Sequence, residues 1–256
     1  MPLDGPDCTS PVPTAGDRPI QLAAVHARRL RAIWRSAGWP CQDMVEVELL
    51  AAGLLARHCA SSGHETLRVT DSGVQLLAQT LQRNRRLHDA HEALVRRVAD
   101  DMLRAGRLTW CGLSLRAKPT VDGPWVMAMP DVYSIRNSTV EAYLAPIVHE
   151  IKVNRADLLS DLRKPTKRDA YLQISSECWY VLAEGIAQPE EIPAEFGVLI
   201  ASRGAVDALP RLEVARAAPR RPAAMGMATW MALARATPLP AWHLGDDQQP
   251  LGGCDH

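Results

Sequence analysis

Ala145-Pro146-Ile147-Val148-His149-Glu150-Ile151-Lys152-Val153, followed at once by Asn154-Arg155-Ala156-Asp157-Leu158-Leu159, is the stretch on which the fold turns. The first part reads as a β-strand. Side chains alternate faces along a strand, so Glu150 and Lys152 share one face while His149 and Ile151 take the other. Asn154 is a good helix N-cap, with Asp157 at the capping-box position and Leu158, Leu159 and Leu162 turned to a core. Pro165 breaks that helix, and Thr166-Lys167-Arg168-Asp169 restarts it with a second capping box, to about Ser175. The two-part helix is strongly basic, carrying Arg155, Arg163, Lys164, Lys167 and Arg168.

Working outward, Trp125 to Pro130 reads as a neighbouring strand closed by Asp131, at a height similar to Glu150, with Arg136-Asn137-Ser138-Thr139 as a turn between them. Arg107 to Ala117 alternates as an earlier strand. Trp179 to Ala183 and Gly197 to Ala201 are almost wholly apolar, as central strands covered on both faces should be. Asp89 to Ala105 is an amphipathic helix with Leu94, Val95, Val98, Met102 and Leu103 on its apolar stripe, ended by Gly106. His88 and His91, near its start, read as a solvated first turn and not as a metal pair. Arg211 to Arg221 is basic and irregular or hairpin-like, and Met225 to Ala236 is a last helix.

The amino-terminal part has a different pattern. Ile20 to Ala37 is helical, with Leu22, Val25, His26, Leu30 and Ile33 on one stripe, and Val45 to His58 reads as a second helix after the Gly38-Trp39-Pro40 break. Thr66 to Val69 is a short strand. Thr70, a good N-cap, then opens a third helix through about Leu81, and Asn84-Arg85-Arg86-Leu87 makes a boundary. The expected organisation is a flexible tail at 1–19, a small domain at 20–86, a larger one at 87–243 and a second tail at 244–256.

The residue types at Asp131, Glu150 and Lys152 suit one chemistry. A phosphodiester is anionic and repels hydroxide, so its cleavage calls for a hard cation that neutralises developing charge and acidifies a bound water. Magnesium prefers oxygen ligands and is commonly held by one or two carboxylates. A lysine alongside supplies a fixed positive donor to the scissile phosphate or the attacking water.

Asp131, then Glu150-x-Lys152, then a basic helix, resembles the PD-(D/E)XK nuclease superfamily. Glu150 to Asp157, with Ser160-Asp161 after it, is similar to the bacterial MmcB-like DNA-repair nucleases. The resemblance covers about Leu87 to Ser202. It implies an α/β (α+β) fold, with a restriction-endonuclease-like α-β-β-β-α-β core whose mixed central sheet is flanked by helices. It implies Asp131 and Glu150 as ligands of Mg²⁺ or Mn²⁺, Lys152 as the catalytic lysine, the Ile151 backbone carbonyl as a further ligand, and an acidic residue from the first core helix, for which Glu92 is nearest. The first 86 residues resemble a winged helix-turn-helix. The expected function is a metal-dependent DNA endonuclease in repair or processing; the alternative is a non-catalytic DNA-binding protein on the same fold. Arg155, Lys164, Lys167 and Arg168 are expected at DNA phosphates, and Tyr171 and Gln173 either orient substrate or pack. The partner would be duplex or branched DNA, with RNA not excluded by any residue, and a homodimer stays open for cutting both strands.

Composition limits the rest. The 256 residues carry 29 basic and 29 acidic side chains, so DNA binding must come from local patches and not from a global field. The six cysteines, at 8, 41, 59, 111, 178 and 254, form no Cys-x-x-Cys, which argues against common zinc spacings and a disulfide framework. No Walker or Rossmann glycine loop and no Gly-x-Ser-x-Gly occur. No charged-then-apolar leader or membrane-length apolar run is read, so the expectation is a soluble, cytoplasmic, nucleoid-associated protein without a membrane partner.

Overall fold

The computed structural model describes residues 22–60, 63–120, 122–202 and 210–240. The tails expected at 1–19 and 244–256 lie outside the described residues. The chain divides into two compact units between Asn84 and Arg85.

In the first unit, α1 (Ala24–Arg35) and α2 (Met44–Ala51) precede a hairpin of β1 (Leu55–Cys59) and β2 (Glu65–Val69) and the start of α3 (Asp71–Arg104). Leu30, Ile33, Leu49, Leu54, Leu55, Leu67 and Leu77 form its core. His26, Leu30 and Ile33 of the expected α1 stripe are buried, while Leu22 and Val25 are exposed. The second helix was expected to reach His58 but stops at Ala51. Gly53, at φ 67°, takes the left-handed conformation, its N–H meeting the Leu50 carbonyl at 3.0 Å while the Leu54 N–H meets that of Leu49 at 2.9 Å. This crossed pair is a helix stop of the Schellman type. It frees residues 55–59 to pair antiparallel with β2, Leu55 opposite Val69. Thr70 caps α3 as expected, its Oγ1 accepting from the Gly73 N–H at 3.2 Å.

The sequence reading placed two helices and a break where α3 runs as one helix of 34 residues. Asn84-Arg85-Arg86-Leu87 is polar but contains neither Gly nor Pro, and polarity alone does not end a helix. Residues 82–86 are exposed.

The second unit is built on a six-stranded mixed sheet in the order β10-β9-β8-β7-β6-β3, comprising β3 (Arg107–Cys111), β6 (Val132–Arg136), β7 (Ile147–Lys152), β8 (Glu177–Ala183), β9 (Gly197–Ser202) and β10 (Arg211–Arg216). β3, β6 and β7 are antiparallel in succession, and β7, β8 and β9 are mutually parallel. Between β7 and β8 lie α4 (Arg155–Leu162) and α5 (Pro165–Gln173). The order α3, β3, β6, β7, α4–α5, β8 is the expected α-β-β-β-α-β, interrupted by a separate ribbon of β4 (Leu115–Ala117) and β5 (Val126–Ala128). The fold is α/β with helices flanking a mixed sheet. On one face, Leu94, Val95, Val98 and Ala99 of α3 pack on Val132, Ile151 and Val181. On the other, Leu158, Ala170, Tyr171 and Leu233, the last from α6 (Met227–Arg235), pack with Tyr133, Val148, Tyr180 and Leu182.

Two of the expected strands take another form. Arg107 to Ala117 is not one strand; Gly112, at φ 62°, turns the chain between β3 and β4. Trp125 to Asp131 does not enter the sheet: β5 pairs only with β4, and the core strand is β6, inside the stretch expected to hold the turn. Arg211–Arg216 is a strand, antiparallel to β9. The Asn154 cap holds, its side chain accepting from the Ala156 N–H at 3.0 Å, but α5 begins with Pro165 at its first turn and without a side-chain cap.

His149, on the α3 face of β7, is 2% exposed, and its Nδ1 has no hydrogen-bond partner. Burial pushes its pKa down to about 3. The unfolded chain takes up this proton near pH 6.5 while the folded protein does not, so stability falls as pH drops through that window. Between pH 6.5 and 4 the loss from His149 alone is expected to be about 3 kcal/mol. His149→Leu should flatten the acid limb of a urea-stability curve; an unchanged limb would show that His149 is not its source.

Candidate active site

β6 begins at Val132, opposite His149, so β7 has no β6 partner beyond that pair. Asp131, immediately before β6, occupies the opening: its Oδ2 accepts the Ile151 N–H at 2.6 Å. A strand residue directs its N–H and C=O to the same side, so the Ile151 carbonyl also faces the Asp131 side. Asp131 therefore stands beside the Glu150-x-Lys152 strand although the run before it, Trp125 to Met129, is not the neighbouring strand.

Glu150 and Lys152 share the α4–α5 face of β7, in register with Tyr180 and Leu182 of β8. Glu150 is 3% exposed. Its Oε1 receives the Lys152 ammonium at 2.7 Å and the Lys167 ammonium at 2.6 Å, while its Oε2 lies 2.8 Å from the Tyr171 hydroxyl. Lys167 extends the cluster to Asp161 Oδ1 at 2.6 Å, and the Tyr180 hydroxyl donates to Asp161 Oδ2 at 2.8 Å. Lys152 also meets Asp157 Oδ2 at 3.1 Å. The Tyr171 hydroxyl is 2.9 Å from the Met129 carbonyl as well, so its single proton serves one of two acceptors.

The electrostatics follow. Burial, reinforced by the nearby Asp131 charge, holds the Glu150 carboxyl above its ordinary range against the pull of Lys152 and Lys167. Burial opposes the ammonium forms of Lys152 and Lys167, but Glu150 prevails and raises both above the usual lysine value. Asp161, though buried, is held below the usual carboxylate range by Lys167. At an effective dielectric of ~20, unit charges at such a separation attract by about 6 kcal/mol. That is comparable with the several kcal/mol that desolvating each buried ion costs, so no member can be removed without exposing the balance. With all four carboxylates ionised, Asp131, Glu150, Asp157 and Asp161 face the ammonium groups of Lys152 and Lys167 and the His91 imidazole at Asp131, leaving negative charge in excess.

Those surplus charges are the test of fit for a divalent cation. The donors are hard oxygens: Asp131 Oδ1, the Glu150 carboxylate, which has one acceptor position beyond its three donors, and the Ile151 carbonyl. The set suits Mg²⁺ or Mn²⁺.

The other expected residues fall less simply. Lys167 lies within the cluster, where it was expected at a DNA phosphate. The Arg155 guanidinium pairs with Glu191 at 2.8 Å and donates to the Ile186 carbonyl at 2.8 Å. Arg168 donates to the Leu162 carbonyl. Lys164 is exposed at the start of α5. Gln173 clamps the Lys118 backbone, accepting its N–H and donating to its carbonyl, both at 2.5 Å, and so supports the β4–β5 ribbon. Tyr171 both packs, at 1% exposure, and touches Glu150.

Three participants escaped the sequence reading. Asp161 and Tyr180 meet only across the parallel β7–α4–α5–β8 crossover, which no local spacing reveals. His91 was legible: His91, Leu94, Val95 and Val98 follow the i, i+3, i+4, i+7 stripe. It was assigned to a solvated first turn because the helix was started at Asp89. In the continuous α3, His91 is on the sheet side, with Nε2 3.4 Å from Asp131 Oδ1 and Nδ1 3.3 Å from Glu92 Oε1. The hydrogen bond with Asp131 raises the His91 pKa above the ordinary histidine value, outweighing partial burial. Glu92 itself reaches Asp131 only through His91.

No protein-family model matches the chain, and no curated protein matches it. Among solved structures, a protein of unknown function from Silicibacter pomeroyi is similar at 21% identity, covering 52% of this chain and 73% of that one, with a TM-score of 0.33. No described helix is long and apolar enough to cross a membrane.

Proposed function

We propose that the chain is a metal-dependent nuclease of the PD-(D/E)XK kind, hydrolysing phosphodiester bonds in DNA. The observation that carries this reading is the convergence of Asp131, the Ile151 backbone, Glu150 and Lys152 at the open end of β7, with negative charge in excess. When bound, Mg²⁺ or Mn²⁺ would neutralise phosphate charge and acidify a water. Asp131, Glu150 and the Ile151 carbonyl would hold it. Lys152, fixed between Glu150 and Asp157, presents a positive charge to the scissile phosphate or the attacking water. Lys167 and Tyr171 hold the Glu150 carboxylate in place, and Asp161 and Tyr180 hold Lys167. Exposed Lys164 and Arg163 are the cations of the basic helix best disposed to meet a DNA backbone. The first unit would assist delivery to DNA, and a DNA-repair or processing role in a bacterial cytoplasm suits the reading.

The test is cleavage of linear duplex, supercoiled plasmid, flap, junction and single-stranded DNA, each with Mg²⁺, with Mn²⁺ and with EDTA. Cutting of at least one substrate that requires metal and stops in EDTA is expected. Salt-sensitive DNA binding that ignores EDTA, with no cutting of any substrate, would favour the non-catalytic alternative.

A further inference from the structure

The β4–β5 ribbon has no task in the reading above, yet its outward face is patterned. Leu115 stands opposite Ala128 and Ala117 opposite Val126, and these side chains pack into the core. Residues one step away along each strand point outward. Arg116 is opposite Met127 in the ladder, and the two-residue period sets Lys118 level with Trp125 at one end and Ser114 level with Met129 at the other. The β5 side thus presents an apolar file, Trp125, Met127 and Met129, at 60%, 52% and 56% exposure. The β4 side presents a polar, mostly cationic one.

α6 flanks this face. Between ribbon and helix lie two hollows, of about 400 and about 270 Å³, that share Arg116 and Ala228. Met231 and Arg235 line the first, Lys118 and Trp125 the second, and no carboxylate lines either. Among the described residues, the Arg116, Lys118 and Arg235 side chains form no ion pair. An apolar groove with uncompensated positive charge suits a polyanion that has apolar faces. Duplex DNA offers phosphates but keeps its base faces stacked inside, whereas a single strand offers both, and bases stack on aromatic side chains without regard to sequence. The groove also leads to the candidate active site. The Met129 carbonyl meets the Tyr171 hydroxyl that touches Glu150, and Asp131 follows two residues later.

We propose that the β4–β5 ribbon and α6 bind single-stranded DNA, with Trp125 and Met127 against its bases and Arg116, Lys118 and Arg235 at its phosphates, and so lead an unpaired strand to Asp131 and Glu150. The substrate class is then DNA with a single-stranded arm, in preference to blunt duplex. The delivery step rests on the nuclease reading of the site; the binding step does not need the metal.

The experiment follows the fluorescence anisotropy of a short labelled single-stranded DNA, in EDTA and across a salt series, on addition of the full chain, beside a blunt duplex of the same sequence. Wild type is expected to bind the single strand about tenfold or more tighter than the duplex. Trp125→Ala should weaken single-strand binding by about 5–100-fold, the loss of one stacked base, with a smaller effect on duplex. Arg116→Ala should reduce the slope of log affinity against log salt by about 0.7. Both side chains are exposed, so the variants should melt with wild type. The control Tyr143→Ala, at a side chain 63% exposed, should bind as wild type does. Equal affinity for single strand and duplex, unchanged in Trp125→Ala and Arg116→Ala, overturns the proposal, and metal-dependent cutting by the same chain leaves the nuclease reading standing. Single-strand binding lost in Trp125→Ala, from a chain that cuts no substrate, supports the surface and removes the nuclease reading. A wild-type dimer that Trp125→Ala dissociates in sedimentation, with single-strand binding unaltered, gives the groove to a second copy and overturns the proposal. An RNA strand of the same sequence that displaces the DNA at lower concentration overturns the choice of DNA.

Discussion

Lys152→Met is expected to slow metal-dependent cleavage by about 10²–10³-fold, the loss typical of one preorganised electrostatic donor, with DNA binding largely kept. The side chain is 7% exposed and held by Glu150 and Asp157 at 2.7 and 3.1 Å, so its charge is fixed before substrate arrives. Methionine keeps most of the apolar stem of lysine and removes the ammonium group with its charge and donors. Glu150 is not stranded by the change, because Lys167 remains at 2.6 Å. A drop in cleavage with an intact gel shift therefore reports on chemistry. Equal loss of cleavage and of folded protein would instead make Lys152 a structural counter-ion.

Lys167→Met is expected to have the largest effect on stability, about 3–5 kcal/mol at neutral pH, because it removes the partner of a buried charge. This one ammonium pairs with two carboxylates whose side chains are each 5% exposed, Glu150 and Asp161. Without it, Asp161 keeps only the Tyr180 hydroxyl as its side-chain partner. The sign of the pH dependence follows from Asp161, whose pKa the fold lowers. Its stabilisation is present above the ordinary aspartate value and is lost as pH falls through the folded value. Variant and wild type should thus differ most near pH 7 and converge in acid. Lys167→Met with Asp161→Asn should recover much of the loss, since the double change removes the stranded charge. Denaturant unfolding of the three proteins at pH 7 and at about pH 3, below the ordinary aspartate value, checks this. A stable Lys167→Met with a reduced salt dependence of DNA binding would return Lys167 to the phosphate-contacting role read from the sequence.

What the sequence disclosed depended on how local the cause was. The β7 strand, the Asn154 cap and the break between α4 and α5 each rest on a few adjacent residues and are legible, although α5 begins at Pro165 itself and without the capping box read at Thr166. So is the pairing of Glu150 and Lys152 on one face, which needs only the two-residue period. Asp131 was named for a reason the fold replaces: it does not end a sheet strand but precedes β6, and it reaches β7 through the Ile151 N–H. The hairpin at 55–69 was hidden because Val45 to His58 holds enough apolar residues to pass for one helix, and a single glycine at position 53 overrules them. The length of α3 was hidden by a polar run that carries no helix breaker. The same polar run conceals His91, because a stripe begun at Asp89 leaves it in a first turn. Asp161 and Tyr180 depend on a crossover between parallel strands, and contacts of that kind leave no spacing to read.

The most direct measurement is plasmid cleavage in Mn²⁺ by wild type and by Asp131→Asn, with DNA binding followed in parallel. Asparagine can still accept the Ile151 N–H through its carbonyl oxygen, so the strand edge is preserved while the ligand charge is lost. The account predicts metal-dependent cutting by wild type, a loss of about 10²–10³-fold or more in the variant, and unchanged binding and melting. Undiminished cutting by Asp131→Asn would contradict the assignment of this site as the centre of the chemistry.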